Sequence, residues 1–383
     1  MRVCLLSKMY PPVVGGSGMY AYEIATALGE RGHDIDVYTQ SKPDAESSFE
    51  THENVSVYTL TRARRYLVTF ETLYYSIRAR LGVDLDEYDV IHGTLMPAST
   101  VALADRLTLE TPVVLTSHSF ALSEVVAHSP EKPADYLLKY AFHPMNVVLD
   151  NVAARGADRV IAISEEMREQ LVTRYGLPEA AVTRIAHGVD TDRFRPRPDG
   201  HDAVSRGPLT LLFVGRLVSR KGADLAVEAV AATDRDDVEL LVAGTGRLES
   251  DLKGLARTLG VEDRVRFLGY VPDEALPGLY SAADATLFTS NYEGFGLVFM
   301  ESLAAGTPVI GTPVGGIPDV VEHGTGGFIS RRDPAAMAAH IEILRTDPDR
   351  RAEMSRAARA AVEDRSWSDV AARVETVYEA VTN

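Results

Sequence analysis

Short β-branched runs alternate with longer amphipathic stretches along the first half of the chain. Apolar runs at residues 2–6, 35–39, 55–60, 90–92, 113–116, 159–163 and 183–186 predict strands, and helical spacing fills 17–31, 66–81, 100–107, 133–155 and 165–175. Such alternation predicts a parallel sheet with helices on both faces. The pattern breaks at Arg195-Pro196-Arg197-Pro198-Asp199-Gly200, followed by Gly207-Pro208. X-Pro steps and glycine disfavour regular structure, so a linker is expected here. A second series then begins, with strands at 209–214, 238–243, 265–268, 285–289 and 309–311 and a helix at 248–259. A last helix is expected from Ser366-Trp367-Ser368-Asp369 to about Val381, capped by Ser366 or Ser368. The expected class is α/β, with two doubly wound, Rossmann-like domains facing a central cleft, at residues 1–194 and 207–365.

Length supports that division, because 383 residues exceed what one hydrophobic core usually organises. A content of 45% hydrophobic and 25% charged residues is that of an ordinary globular protein. No apolar run approaches the roughly 20 residues that span a bilayer. The lone cysteine, Cys4, excludes an internal disulfide and favours a reducing compartment. The start of the chain is too short in apolar residues for a signal-peptide core, so a cytoplasmic protein is expected. A formal net charge of −16 opposes nucleic-acid binding. Between residues 62 and 80, by contrast, five arginines face the single acid Glu71. Arg64, Arg65, Tyr66, Phe70, Tyr74, Tyr75, Arg78 and Arg80 mix basic and aromatic side chains on one expected helix. That element suits an anionic membrane surface or a phospholipid-linked acceptor, and an ordinary amphipathic helix with its aromatics in the core explains it as well.

Candidate chemistry gathers at strand ends. Glu301 interrupts the apolar run Leu297, Val298, Phe299, Met300, Leu303, Ala304, and a charge in such a run needs a partner or a task. Glu293 lies eight residues earlier, in Asn291-Tyr292-Glu293-Gly294-Phe295-Gly296. If a helix begins at Phe295, the N–H groups of Gly294 to Leu297 form an anion nest. The carboxylates would then stand roughly 10 Å apart along the axis. A retaining glycosidase pair needs roughly 5 Å, so the two glutamates fit better as holds on opposite ends of an extended ligand.

Arg216 and Lys221 lie in Gly215-Arg216-Leu217-Val218-Ser219-Arg220-Lys221-Gly222, at the end of a strand, and a planar fork with a compact ammonium suits a diphosphate. Val13-Val14-Gly15-Gly16-Ser17-Gly18 follows the first strand, where glycines admit close approach to an anion at a helix start. A tight turn with no ligand accounts for that run equally well, and a plain turn accounts for Gly244-Thr245-Gly246. His118 ends another strand, and His92 and His187 have similar placement. The Asp-x-Asp triplets lack a ligand set at metal spacing, so no metal is expected.

Together these residues resemble the retaining glycosyltransferases of the glycosyl transferase group 1 type, family four, which have the GT-B fold. Gly215-Arg216-Leu217, Lys221-Gly222, the Glu293/Glu301 pair, Gly306-Thr307-Pro308-Val309 and Pro313-Val314-Gly315-Gly316-Ile317-Pro318-Asp319 recur in family order. The resemblance implies metal-independent transfer, with retention, from a nucleoside-diphosphate sugar as co-substrate and without a cofactor. It implies that Arg216 and Lys221 neutralise the donor diphosphate, which Gly15 and Gly16 approach through backbone N–H groups. Glu293 would hold the transferred sugar, the backbone of Gly294, Phe295, Gly296 and Leu297 its hydroxyls and phosphate, and Glu301 the ribose. His118 would contact the sugar near the reacting carbon, and helix 366–383 would return to the N-terminal domain. His187 stands where relatives commonly have asparagine.

The expected acceptor is a glycolipid, a lipid-linked glycan or a polysaccharide precursor, met at the inner face of a membrane. Arg64, Arg65, Tyr66 and Arg78 are the residues assigned to it. A GT-B sugar-nucleotide epimerase and a non-catalytic nucleotide-sugar-binding subunit are the alternative readings.

Overall fold

The structure, a computed structural model, describes residues 1–11, 15–41, 51–62, 68–94, 98–120, 143–197, 201–204, 207 and 209–383. It divides into two units, Met1–His187 with Trp367–Asn383, and Gly188–Ser366.

The first unit is built on seven strands: β1 (Arg2–Leu6), β2 (Asp34–Ser41), β3 (Val55–Arg62), β4 (Val90–Thr94), β5 (Val113–Ser117), β6 (Arg159–Ala162) and β7 (Val182–Arg184). They pair in the order β3-β2-β1-β4-β5-β6-β7, all parallel. Parallel neighbours require crossovers, and helices Gly16–Glu30, Ser99–Thr108 and His143–Gly156 are among those that supply them. Helix Val68–Gly82 covers the expected 66–81, and its first expected residues lie outside the described ones, as do 133–142 of the expected helix 133–155.

The chain returns to this unit at its end. Helix Trp367–Thr382 packs on Gly16–Glu30, with Glu375 ion-paired to Arg31 and Glu375 Oε1 2.9 Å from His33 Nε2. On its inner face the Tyr378 hydroxyl meets His92 Nδ1 at 2.6 Å, and His92 Nε2 meets Thr116 Oγ1 at 2.7 Å. Burial holds His92 neutral, its pKa lowered to about 3, so one ring nitrogen donates and the other accepts.

The second unit repeats the design with β8 (Leu209–Val214), β9 (Val238–Ala243), β10 (Val265–Gly269), β11 (Ala285–Phe288), β12 (Val309–Gly311) and β13 (Gly327–Ile329). Their order is β10-β9-β8-β11-β12-β13, again all parallel. Leu211, Phe213, Leu240, Val242, Leu287 and Ile310 contribute to its core. Strands covered on both faces explain why β8, β9 and β11 are mainly apolar runs. The polar positions are Thr210 in β8, Glu239 in β9 and Thr286 in β11, and Glu239 accepts a hydrogen bond from Thr210 Oγ1 at 2.9 Å.

The units meet in sequence at His187 and Gly188, earlier than the proline-rich segment expected to link them. Residues 188–197 lack regular structure, yet they are fastened to the second unit. The Val189 N–H donates to Arg365 O at 2.9 Å, Arg359 Nη1 donates to Thr191 O and Phe194 O at 3.1 and 2.8 Å, and the Arg197 N–H donates to Ser281 Oγ at 2.6 Å. Proline stops helix and strand, but tertiary hydrogen bonds decide whether a segment is free.

Candidate active site

In an open parallel sheet the crevice for a ligand opens beyond the carboxyl ends of the two strands where the order reverses. In the second unit these are β8 and β11, both neighbours of each other with crossovers leaving in opposite directions. The loop after β8 carries Gly215, Arg216 and Lys221, and the loop after β11 carries Glu293 to Gly296. The two segments that the motifs singled out are therefore neighbours in space.

Lys221 closes a short 3₁₀ turn, Ser219–Lys221, and its ammonium forms an ion pair with Glu293 Oε1. Both side chains are largely buried, at 13% and 8% exposure. Ser290 Oγ donates to the same carboxylate oxygen at 2.9 Å, and Arg220 Nη1 reaches Oε2 at 3.3 Å. The proposed phosphate lysine and the proposed sugar carboxylate thus hold each other. Neither Arg220 nor Ser290 was singled out in the sequence, since nothing local marks them. Arg216 is exposed, and its guanidinium has no ion-pair partner among the described residues.

Backbone fit sets this arrangement. Gly222 has φ +66°, and a Cβ there would lie 2.2 Å from Thr289 O, in the chain just after β11. Gly244, in the turn read as plain, has φ +141°, and its Cβ would lie 1.9 Å from Gly215 O. The turn also accepts the Leu217 N–H at Thr245 O, 2.9 Å away, so it supports the Arg216 loop from beneath. Only glycine permits both approaches without displacing backbone.

The expected helix start at Phe295 is corrected. Helix Leu297–Ala304 begins two residues later, with Gly296 as N-cap at φ +100° and Phe295 buried before it. The span from Glu293 to Gly296 is not helical, so the 10 Å reckoning along one helix axis does not apply. Glu301 sits four residues into the helix, about 6 Å along its axis from Leu297. It is half-buried and accepts a hydrogen bond from the Tyr280 hydroxyl at 2.9 Å. Burial pushes the Glu301 carboxyl up, and the Tyr280 bond with the charges of Arg193 and Lys221 opposes that rise. Tyr280, fully buried on helix Leu276–Ala282, was also not singled out.

In the first unit the matching reversal lies between β1 and β4. Gly15 is the extended N-cap of helix Gly16–Glu30 in the crossover after β1, while Val13 and Val14 lie outside the described residues. A Cβ on Gly16 would meet nothing within 4 Å, so packing does not itself require glycine there.

His118 directly follows β5 and joins an aromatic cluster. Its ring stands 4.6 Å from Tyr20 and 5.3 Å from His187, and His187 stacks on Tyr20 at 5.1 Å with Trp367 at 5.9 Å. Both His118 ring nitrogens are shielded from solvent and have no hydrogen-bond partner among the described residues. Burial first, then the neighbouring His187 and His92, hold His118 well below the usual histidine range, so it is a neutral donor–acceptor. His187 packs inside this cluster.

Arg64, Arg65 and Tyr66 lie outside the described residues. Of the rest of that helix, Tyr75 is buried with its hydroxyl on Tyr38 O, while Tyr74, Ile77, Arg78 and Leu81 are exposed.

Comparison with known proteins agrees with this architecture. Residues 201–361 match the family model described as glycosyl transferases group 1, and residues 14–193 match that described as glycosyltransferase family 4. The glycogen synthase of Mycobacterium tuberculosis is 31% identical over 402 residues, covering 99% of this chain and 94% of that protein. Among solved structures, sucrose-phosphate synthase from Thermosynechococcus elongatus superposes with a TM-score of 0.83 at 24% identity, covering 99% of this chain and 98% of that one. Anabaena HepE, solved in complex with UDP and glucose, gives a TM-score of 0.73 at 21% identity, covering 99% of each chain. The fold is GT-B, and the chain belongs to the group 1 glycosyl transferases of glycosyltransferase family 4.

Proposed function

We propose that this glycosyltransferase moves a hexosyl group, with retention and without a metal, from a nucleoside-diphosphate sugar to a glycolipid, lipid-linked glycan or polysaccharide precursor. The observation that carries the donor class is the cation set at the β8/β11 reversal. The two loops there carry Arg216, Arg220 and Lys221 and one carboxylate, Glu293. The Arg220 charge offsets that of Glu293, and the two positive units of Arg216 and Lys221 complement a diphosphate.

Arg216 and Lys221 neutralise the departing diphosphate, the main electrostatic contribution to rate. First-turn N–H groups of helix Leu297–Ala304 add donors for phosphate and sugar oxygens. Glu293 accepts from sugar hydroxyls. Glu301, kept as an acceptor by Tyr280, takes the ribose diol at the far end. His118, neutral and with both nitrogens unengaged among the described residues, hydrogen-bonds the sugar near the reacting carbon. Neither glutamate is assigned the acceptor proton, and the leaving phosphate takes it.

A thermal-shift panel of nucleoside-diphosphate sugars identifies the donor. A binder at 100 times its Kd should stabilise by about 2.7 kcal/mol. With that donor, NMR of the first product should give the donor's own anomeric configuration. An inverted product overturns retention, and an epimeric nucleotide sugar formed without acceptor and without net release of nucleoside diphosphate favours the epimerase reading.

The acceptor assignment adds contact with an anionic membrane. The exposed Tyr74, Ile77 and Leu81 recur on one side of helix Val68–Gly82, with Arg78 beside them. Apolar anchors beside basic residues suit an interface. Flotation with phosphatidylserine vesicles should recover the protein and lose it on Tyr74→Ser with Leu81→Ser. Equal recovery with neutral vesicles, or with the double variant, sinks this assignment. Among the described residues no helix is long and apolar enough to cross a membrane.

A further inference from the structure

We propose that Arg220 is a positioning residue that holds Glu293 toward the transferred sugar once the donor diphosphate has engaged Lys221. The proposal rests on the donor-site reading above. Glu293 Oε1 takes both the Lys221 ammonium and the Ser290 hydroxyl, while Oε2 faces Arg220. A diphosphate entering beside Lys221 competes with Glu293 for the same ammonium. Two anions then share one compact cation, and they repel each other unless a second cation compensates.

Arg220 is placed to be that cation. Its Nη1 lies 3.3 Å from Glu293 Oε2 and donates to Tyr292 O at 3.4 Å, while Arg220 O accepts the Asn291 N–H at 2.9 Å. Residue 220 thus grips the Glu293 loop through its backbone and through its guanidinium. A planar fork can bridge a carboxylate and a carbonyl together, which an ammonium on a flexible stem does less well. Arg220 acts on the sugar only through Glu293, so its influence should appear with a sugar present and vanish without one.

The test pairs each donor with its sugarless counterpart. Calorimetry on the full chain would measure UDP-, ADP- and GDP-glucose against UDP, ADP and GDP, for wild type, Arg220→Ala and Arg220→Lys. Arg220→Ala should weaken the sugar-bearing member about tenfold and change the nucleoside diphosphate by less than about twofold. Arg220→Lys should fall between wild type and alanine. An equal loss for both members would make Arg220 a phosphate ligand or a folding residue and overturn the proposal, as would no loss for the sugar. If the wild type binds none of the six compounds, the donor-site reading fails and this proposal falls with it.

Discussion

Lys221→Ala is expected to lower kcat by roughly 10²- to 10³-fold, the range seen when one preorganised donor to developing charge is removed. Lys221 is the less exposed of the two cations that pair with Glu293, at 13% against 34% for Arg220. A charge held in such a setting counts for more than one in water. The substitution also breaks a largely buried ion pair, which costs more than the pair contributes because Glu293 is left without that partner. Two effects are therefore mixed in this variant, and a second variant separates them. Lys221→Ala with Glu293→Gln should recover much of the lost thermal stability while activity stays low. Activity near that of the wild type in Lys221→Ala, measured as nucleoside diphosphate released with acceptor present, contradicts its catalytic assignment.

Glu301→Gln is expected to weaken donor binding about tenfold at neutral pH, because a charged acceptor becomes a neutral one. The same change should raise Tm at pH 7. Burial raises the folded-state pKa of Glu301 above its unfolded value. A carboxyl shifted in that direction contributes stability below its unfolded pKa and loses it as pH rises through the folded pKa. At neutral pH the ionised, half-buried group is thus a cost that glutamine removes, and in acid, where both side chains are neutral, the two proteins should melt together. Donor affinity of the wild type should fall as pH drops through the raised carboxyl pKa. The glutamine variant should be flat across that window. The groups facing Glu301 are Tyr280, Arg193, Asp273 and Lys221, and a profile that survives Glu301→Gln unchanged removes Glu301 as the titrating group. Melting curves and calorimetry over the acid range distinguish these cases.

Both predictions depend on pairings that no local pattern announces. Lys221 and Glu293 are 72 residues apart in the sequence, and Tyr280 and Glu301 are 21 apart. A run such as Phe213-Val214-Gly215-Arg216 predicts a strand ending in a basic loop, but not which strand will lie beside it. The parallel pairing of β8 with β11 makes that choice, and with it the neighbours of each loop. Residues whose value comes from such a pairing, Arg220 and Ser290 among them, look like ordinary polar loop residues in the sequence. Strand β13 escaped for a different reason. Gly327-Phe328-Ile329 is too short and too rich in glycine nearby to carry a period, and it becomes a strand because β12 offers an edge to pair with. The helix start near Phe295 was misplaced because its apolar density continues through Phe295. Phe295 instead buries its ring against Phe299, 5.5 Å away, before the helix begins.

The sequence by itself determined the alternation of strands and helices, the two-unit plan, the return of the last helix and the family. It also marked Arg216, Lys221, Glu293, Glu301 and His118 as chemistry at strand ends. The alternation, the two-unit plan and the marked residues are consequences of local periodicity and of residue types at short spacing, while the family and the return of the last helix are what the resemblance of the assembled motifs implies. The tertiary structure decided that residues 188–197 belong to the second unit. It also decided that Lys221 and Glu293 pair, that Arg220 and Tyr280 brace the two glutamates, and that His118 is held neutral among aromatic neighbours. Each of these depends on which distant groups a folded sheet brings within hydrogen-bond reach and how far it excludes water from them, and neither quantity is a property of any short stretch of chain.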